Sequence, residues 1–528
     1  MPERKGRIGH RQCDRSCQRV GDLMAAFTAQ LRAIMSLDPS RAEIDFGGRD
    51  YTWGEISRVV EGLASVQDAL GLPADARVGI ALRNRPGHVA AILAVVGGEY
   101  CLVSLNPALP DERFAEDIAA LGLPVVILDE SDAARPVVAS ALDQAGTTSI
   151  IIGAHLEGVR TVQARTSRAG PIPVSRGVAI EMLTSGTTGT PKRVPLTRQA
   201  FEASFAAFTS YERNRDIAEP PRLRSGVTMV VNPLTHIGGI YGCIGALVAG
   251  RKIALLERFT VAAWVDAVRR NRPKVASAVP SALRMLLDAN VDPADLSSLS
   301  SLVSGTAPLD PALVDTFYER FGIPVCANYG ATEFAGAVAG WTIDTFRECW
   351  AQKRGAAGRL HANVGARTVD PETGKSLPPG DEGLLELQGE QLGPGYAIGG
   401  ERWLRTSDRA VIDADRFLFI RGRADNAIVR GGFKVHPEDV AEALNAHPSV
   451  REAAVIGVAD GRLGAVPVAA VIPRDSANPP IEAELRQWLR TRLLPYQVPV
   501  RFRIVDDFPR TASMKPSAQG LQMLFAKT

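Results

Sequence analysis

The chain is 528 residues long, with 60 Lys plus Arg against 58 Asp plus Glu, a formal net charge of +2, and a composition that is 45% hydrophobic and 22% charged. At roughly 100–200 residues per folding unit, this length calls for more than one domain and excludes a disulfide-stapled miniprotein. The balanced charge excludes a general nucleic-acid coat, and the composition excludes a wholly disordered chain. The cysteines, Cys13, Cys17, Cys101, Cys243, Cys326 and Cys349, are too few and too scattered for a disulfide framework, so a reducing, cytoplasmic setting is expected.

Residues 1–20 are rich in Lys and Arg, with only Glu3 and Asp14 opposing them and no apolar signal core behind them. A disordered basic tail is expected; an organelle-targeting peptide or a metal site at Cys13 and Cys17 is the alternative. Leu23, Met24, Phe27, Leu31, Ile34 and Met35 recur at helical spacing and predict an amphipathic helix. Strand-like runs at Val78 to Leu82, Leu102 to Leu105 and Val125 to Leu128 then alternate with helical stretches around Val89 to Val96 and Ala115 to Leu121. This alternation predicts an α/β architecture with largely parallel sheets. The longest apolar run, Val89 to Val96, is closed by Gly97 and Gly98, well short of the about 20 residues a spanning helix needs, so no transmembrane segment is expected.

From about Gly355 short β-like pieces are separated by turn signals such as Asp370-Pro371-Glu372-Thr373-Gly374 and Pro378-Pro379-Gly380, which predicts a β-rich subdomain over about 355–424. Near Asp425 the pattern resets. Pro437 can open a helix with Val440 and Leu444 on one face, and Ala453 to Val458 and Val466 to Ile472 read as strands. Ile481, Leu485, Trp488, Leu489 and Leu493 mark an amphipathic helix and Val500 to Val505 a further strand. The division expected is a large unit over 21–424 followed by an α+β domain over 425–528.

The sharpest local feature is Leu183-Thr184-Ser185-Gly186-Thr187-Thr188-Gly189-Thr190-Pro191-Lys192. Hydroxylated residues interleaved with glycines let backbone amides and side-chain hydroxyls close around phosphate oxygens, and Lys192 adds a cation. It is not a Walker A loop, because Pro191 precedes Lys192 and Arg193 follows it. A plain surface turn would explain the glycines and threonines but not their pairing with Lys192.

With this string the chain resembles the adenylate-forming superfamily of acyl-CoA synthetases, aryl-CoA ligases, luciferases and peptide-synthetase adenylation domains. Further blocks follow in the family's order: Asn232-Pro233-Leu234-Thr235-His236-Ile237-Gly238-Gly239, Ser304-Gly305-Thr306-Ala307-Pro308-Leu309, Asn328-Tyr329-Gly330-Ala331-Thr332-Glu333, Trp403-Leu404-Arg405-Thr406-Ser407-Asp408, Arg421-Gly422-Arg423-Ala424-Asp425, and Pro509-Arg510-Thr511-Ala512-Ser513-Met514-Lys515. The resemblance runs from about Tyr51 to Lys515. It implies a large N-terminal AMP-binding domain of stacked sheets with flanking helices, and a small mobile C-terminal domain that swings about a hinge at Asp425. The implied reaction is ATP-dependent ligation of a monocarboxylic acid, aliphatic or aromatic, to CoA, with Mg²⁺ and with release of pyrophosphate.

Joining a carboxylate to AMP brings two anions together in line, so cations and amide dipoles must neutralise them. By the resemblance, Thr184, Ser185, Gly186, Thr187, Thr188, Gly189 and Lys192 would hold the outer phosphates, Glu333 would ligate Mg²⁺, and Thr332 would meet the α-phosphate. Gly305, Thr306, Ala307, Pro308, Asn328, Tyr329 and Gly330 would line the adenine site, with Tyr329 stacked on the base; Asp408 and Arg423 would hold the ribose. Lys515 would bridge the substrate carboxylate and the α-phosphate. His236 would orient the acid in a pocket lined by Ile237, Gly238, Gly239, Gly305, Ala331, Ala335 and Gly336. These segments carry no Lys or Arg for a second carboxylate, which disfavours dicarboxylic acids. In the second half-reaction Arg430, Gly431, Gly432, Phe433 and Lys434 would face CoA.

The chain departs from the family's common pattern at Arg193, Arg198, Ser407 and Met514. Met514 matters most, because a glycine usually precedes the catalytic lysine and a side chain there restricts the backbone. Two rival readings stay open: a ligase that loads a carrier-protein phosphopantetheine, and an acyl-nucleotide binding protein weakened in catalysis.

Overall fold

A computed structural model describes residues 28–163, 172–184, 192–210, 220–392, 403–511 and 513–526. Residues 28–35 form the end of the expected first helix, whereas Leu23, Met24, Phe27, Cys13 and Cys17 lie outside the described residues. Strands Arg77–Ala81, Cys101–Leu105 and Val125–Asp129 sit inside a seven-stranded sheet whose edges are Val159–Gln163 and Lys192–Thr197. The inner pairs are parallel and the two edge pairs antiparallel. The central strands are largely apolar because both faces are covered. Val125 and Ile127 pack towards helices Trp53–Ala69 and Pro86–Gly97, while Val126 and Leu128 pack towards Asp111–Leu121 and Pro136–Gln144.

A second sheet has nine strands, in the order Val275–Ser277, Ser301–Ser304, Val325–Ala331, Gly336–Gly340, Gly358–Leu360, Phe417–Arg423, Leu404–Ile412, Gly383–Gln388 and Gly365–Val369. The first three are parallel and the rest antiparallel. The section after Gly355 is thus rich in strands, as its turn signals predict. It does not close on itself, because Gly358–Leu360 pairs with Gly336–Gly340 and carries the sheet on from the parallel strands. A four-stranded sheet of Val227–Val230, Lys252–Leu255, Ala42–Phe46 and Arg49–Thr52 completes the large lobe.

The C-terminal lobe is a five-stranded sheet in which Gly464–Pro473 is flanked by Ile428–Arg430, Val450–Asp460 and the parallel strand Arg501–Ile504. Helix Pro437–Asn445 does open with its proline in the first turn, where a missing N–H costs nothing, and with Glu482–Arg490 it buries Val440, Leu444, Leu485 and Leu489 on one sheet face. Helix Ala518–Ala526 covers the other face through Leu521 and Phe525. Among the described residues no helix is long and apolar enough to cross a membrane.

Candidate active site

The site candidates cluster where the two lobes meet. Strand Val325–Ala331 runs into a short 3-10 turn, Thr332–Phe334, so Asn328, Tyr329, Gly330, Thr332 and Glu333 follow one another along one sheet end. The neighbouring strand Ser301–Ser304 ends at Gly305, where a Cβ would lie 2.0 Å from Asn328 Oδ1; only glycine lets that amide close over the loop. Thr306 follows at φ 68, an unusual left-handed conformation for a β-branched residue. Ala307 and Pro308 continue that loop, with Pro308 exposed.

Asp408 and Arg423 are directly opposite each other on the antiparallel strands Leu404–Ile412 and Phe417–Arg423. The Tyr329 hydroxyl donates to Asp408 Oδ2. Arg423 grips Asp425 with Nε and Nη2, at 2.8 and 2.6 Å, and also donates to Ser407 Oγ. Burial pushes the Asp408 carboxyl up from its usual value, against the opposing pull of the Tyr329 hydrogen bond, Arg423 and Lys515. Burial, then the Asp408 charge, raises the Tyr329 phenol well above its ordinary range.

His236 stands at the N-cap position of helix Ile237–Ala249 without a side-chain cap hydrogen bond, and Gly239 in the first turn lies so close to the Pro233 carbonyl that a Cβ would meet it at 2.1 Å. Burial, and then the Lys515 charge, hold the His236 imidazole below its usual value. Lys515 itself arrives from the C-terminal lobe on a tight turn: the Thr511 amide donates to the Lys515 carbonyl at 2.8 Å, and the Lys515 amide returns to Thr511 Oγ1 at 3.2 Å. Crowding by the surrounding walls, then the like charge of Arg423, lowers the Lys515 ammonium, with Asp408 opposing. The side chain keeps an exposed side, so its charge is partly screened by solvent. Lys515 therefore shares one electrostatic neighbourhood with His236, Asp408 and Arg423, residues contributed by three distant stretches of the chain.

Ala331, Ala335 and Gly336 border the 3-10 turn that carries Glu333, with Ala335 left-handed at φ 51. Gly336 lies against Ser204 Oγ and the Tyr241 ring, whose own neighbour is Phe205, stacked at 4.5 Å. Ile237 and Gly238 open the helix behind His236, and Gly238 faces Thr306 Cγ2. Lys192 begins strand Lys192–Thr197, and Thr184 ends strand Val178–Thr184. Ser185, Gly186, Thr187, Thr188, Gly189, Thr190 and Pro191, between them, lie outside the described residues.

The hairpin of Arg430, Gly431, Gly432, Phe433 and Lys434 stands apart from this cluster. Gly431 and Gly432, at φ 58 and 90, make the two-residue turn that its strands require. Phe433 stacks on Tyr496 at 4.7 Å and is 57% exposed, while Arg430 Nη1 donates to the carbonyls of Tyr496 and Val498. That guanidinium edge is bound within its own lobe.

The departures from the expected pattern acquire physical reasons. Arg193 donates to the Ser104 carbonyl at 2.9 Å and to Asp117 at 2.6 Å. Arg198 is buried and bonds Asp75 at 2.6 Å and the Glu99 carbonyl at 2.7 Å. Ser407 orients Arg423. Met514 adopts φ 64, the left-handed region where glycine is at ease.

Two further residues position the site. Buried Asn84 donates Nδ2 to the Asn232 and Leu256 carbonyls, 3.1 and 2.9 Å, and accepts from the Leu234 amide at 2.9 Å, clamping the loop that delivers His236. Fully buried Gln391 donates to the Phe334 and Ala337 carbonyls at 3.0 and 3.1 Å, bracketing the Glu333 turn. Neither carries a local signal, since an isolated amide side chain in sequence gives no hint of partners far along the chain.

The molecule is thus a two-lobed α/β protein in which Lys515 of the small lobe shares an electrostatic neighbourhood with Asp408, Arg423 and His236 of the large one. The family model for AMP-binding enzymes matches residues 31–397, and the model for their C-terminal domain matches residues 439–515. The chain belongs to the AMP-binding enzyme family. Among curated relatives, a feruloyl-CoA synthase of Amycolatopsis sp is 29% identical over 498 residues, 92% of this chain and 95% of that protein. A 4-coumarate–CoA ligase-like protein of Oryza sativa subsp. japonica is 28% identical over 506 residues, 91% and 89% of the two chains. An indoleacetate–CoA ligase of Aromatoleum aromaticum is 27% identical over 510 residues, 93% and 96%. Among solved structures, ATP-bound MatB from Rhodopseudomonas palustris superposes with a TM-score of 0.78 at 25% identity, covering 94% of this chain and 99% of that one. The amide bond synthetase McbA from Marinactinospora thermotolerans gives 0.75 at 27%, with the same coverage of the two chains.

Proposed function

We propose that the protein is an ATP-dependent acid–CoA ligase that first joins a monocarboxylic acid to AMP and then passes the acyl group to the CoA thiol. The observation that supports this reading is the electrostatic neighbourhood that Lys515 shares with His236, Asp408 and Arg423, since the first half-reaction calls for a cation near both anionic reactants. The carboxylate oxygen attacks the α-phosphorus, the bond to the bridging oxygen breaks, and pyrophosphate leaves with that electron pair. Negative charge redistributes over the α-phosphate oxygens as this happens. Lys515, a compact cation free to reach both reactants, stabilises it, and Thr332 donates a hydroxyl. Asp408, its orientation set by the Tyr329 hydroxyl and the opposing Arg423, accepts from the ribose, while Tyr329 and the Gly305–Pro308 loop bracket the base.

Glu333 would hold Mg²⁺. Among the described residues there is no group of three or more acidic, His or Cys side chains able to cage an ion. That fits a metal bound by one carboxylate with the rest of its shell from phosphates and water. When bound, Mg²⁺ supplies charge neutralisation at the phosphates. Thr184, Ser185, Gly186, Thr187, Thr188, Gly189 and Lys192 would hold the outer phosphates. For the second step the C-terminal lobe turns about Asp425 and brings Arg430, Gly431, Gly432, Phe433 and Lys434 towards CoA.

The acid proposed is an aromatic one. Helix Ile237–Ala249 turns Gly238, Gly242 and Gly245 to one side, and a Cβ at Gly242 would meet nothing within 4 Å among the described residues. Beside that space stand Gly336, Tyr241 and Phe205, suited to a flat ring. The names of the relatives, which act on coumarate, ferulate and indoleacetate, support the same class. The test is pyrophosphate release over a panel of aromatic, aliphatic and dicarboxylic acids, with CoA, with a phosphopantetheinyl carrier protein and with neither. Aromatic acids with CoA should give the acyl-CoA. Product on the carrier alone would make it a carrier-loading ligase, and ATP binding without pyrophosphate from any acid would make it a binding protein.

A further inference from the structure

We infer that Ser281 of the large lobe is a positioning residue for Lys515, latching the C-terminal lobe in the arrangement used for adenylation. The inference rests on the role proposed above for Lys515. Ser281 lies in the first turn of helix Pro280–Asp288, and its hydroxyl donates to the Met514 carbonyl at 3.2 Å across the interface between the lobes. The same carbonyl accepts from Arg510 Nη1 at 3.2 Å, and Arg510 is itself fixed by Glu452 and Asp507, each at 2.9 Å. Met514 holds a left-handed backbone at φ 64, a conformation that a residue with a side chain keeps only when its surroundings impose it. The two hydrogen bonds to its carbonyl are such an imposition, and Lys515 is the next residue along.

The latch has a second point farther along the same helix. Arg284 donates to the Arg451 carbonyl, and Asp288 pairs with the Arg451 guanidinium at 3.2 Å. Positions 281, 284 and 288 share one helix face, so a single face of Pro280–Asp288 meets the C-terminal lobe at both points. Between them lies an open cavity of about 490 Å³ bordered by both lobes. Arg284, Arg451 and Arg510 line it together with Asp288, Glu452, Asp506 and Asp507, so both signs of charge meet across the interface.

A contact made in only one of two arrangements biases the equilibrium between them by its own strength. Removing one neutral hydrogen bond shifts such an equilibrium about two- to tenfold. Adenylation needs the latched arrangement and thioester formation needs the turned one, so loss of the Ser281 hydroxyl slows the first and leaves the second equal or faster.

The test uses the full-length chain with 4-coumarate, or the acid the panel selects in its place. Ser281→Ala, Ser281→Thr, Asp288→Asn and Lys515→Ala are each measured in ATP–pyrophosphate exchange and in CoA thioester formation from preformed acyl-adenylate. Ser281→Ala should lower the exchange rate about two- to tenfold, with KM for ATP and acid unchanged and thioester formation not reduced. Ser281→Thr, which keeps the hydroxyl, should restore exchange, and Asp288→Asn should show the same split should the alanine variant fold poorly. Equal loss of both half-reactions, or no loss of exchange, overturns the inference. If Lys515→Ala leaves exchange intact, it is the role of Lys515 that fails; if Lys515→Ala abolishes exchange while the Ser281 and Asp288 variants show no split, only the latch fails.

Discussion

Replacing Tyr329 by Phe removes one oxygen and leaves the ring that is proposed to lie on adenine. The lost hydroxyl is the donor to Asp408 Oδ2, on a carboxyl that burial already pushes upward and that Tyr329, Arg423 and Lys515 pull back. A hydrogen bond to an ionised group contributes about 1.5–3 kcal/mol, and about 1.4 kcal/mol corresponds to one pH unit along a titration limb, so its loss pushes the Asp408 ionisation further up. The sign follows: Asp408 accepts ribose hydroxyls as a carboxylate, so binding of ATP is lost as pH falls through its ionisation, and the variant loses it at higher pH. The assay is KM for ATP in pyrophosphate exchange, followed from pH 5 to 9 for both proteins. The acid limb of 1/KM should move up by about one to two pH units with little change on the alkaline side. Superimposable acid limbs would refute the reasoning, because they would mean that the Tyr329 hydroxyl does not govern the charge on Asp408.

Met514→Gly removes a side chain from a left-handed position; with the strain of about 1–2 kcal/mol partly offset by glycine's freedom, pyrophosphate exchange should rise about two- to fivefold, and a tenfold fall would show that the side chain is needed for the turn. Glu43→Gln tests a buried carboxyl on strand Ala42–Phe46. Burial pushes Glu43 up from 4.5 to about 9, so it stays protonated in the fold and ionises in the unfolded chain, and its contribution to stability is present below pH 4.5 and lost as pH rises towards 9. The Gln variant should match the wild type in urea unfolding at pH 4 and exceed it by about 3 kcal/mol at pH 7; equal stabilities at both pH values would contradict this.

What the sequence discloses of this fold follows from how local each cause is. Val125 to Leu128 reads as a strand because both its faces meet helices, which makes that run continuously apolar, and Pro437 marks a helix start through its own ring. Asp408 and Arg423 were legible as a pair of ordered blocks, though not as direct cross-strand neighbours, which depends on hairpin register. The destination of the strands after Gly355 was hidden because sheet order is decided by pairing between distant segments. Asn84 and Gln391 were hidden for the same reason, since their partners are remote in sequence. Arg193 and Arg198 stand out in the sequence only as departures from the family's common pattern, and their side chains turn to Asp117 and Asp75. Met514 stands out in the sequence as a departure, but only the backbone angle reveals that it keeps the conformation glycine would have.

The most direct test of adenylation through Lys515 is to separate the half-reactions in Lys515→Ala. Pyrophosphate exchange should fall by several orders of magnitude, since a cation at the redistributing charge of the transition state is lost. Thioester formation from preformed acyl-adenylate should stay within a few-fold of the wild type. Exchange that survives the substitution, or an equal loss in both half-reactions, would contradict the placement of Lys515 at the first chemical step.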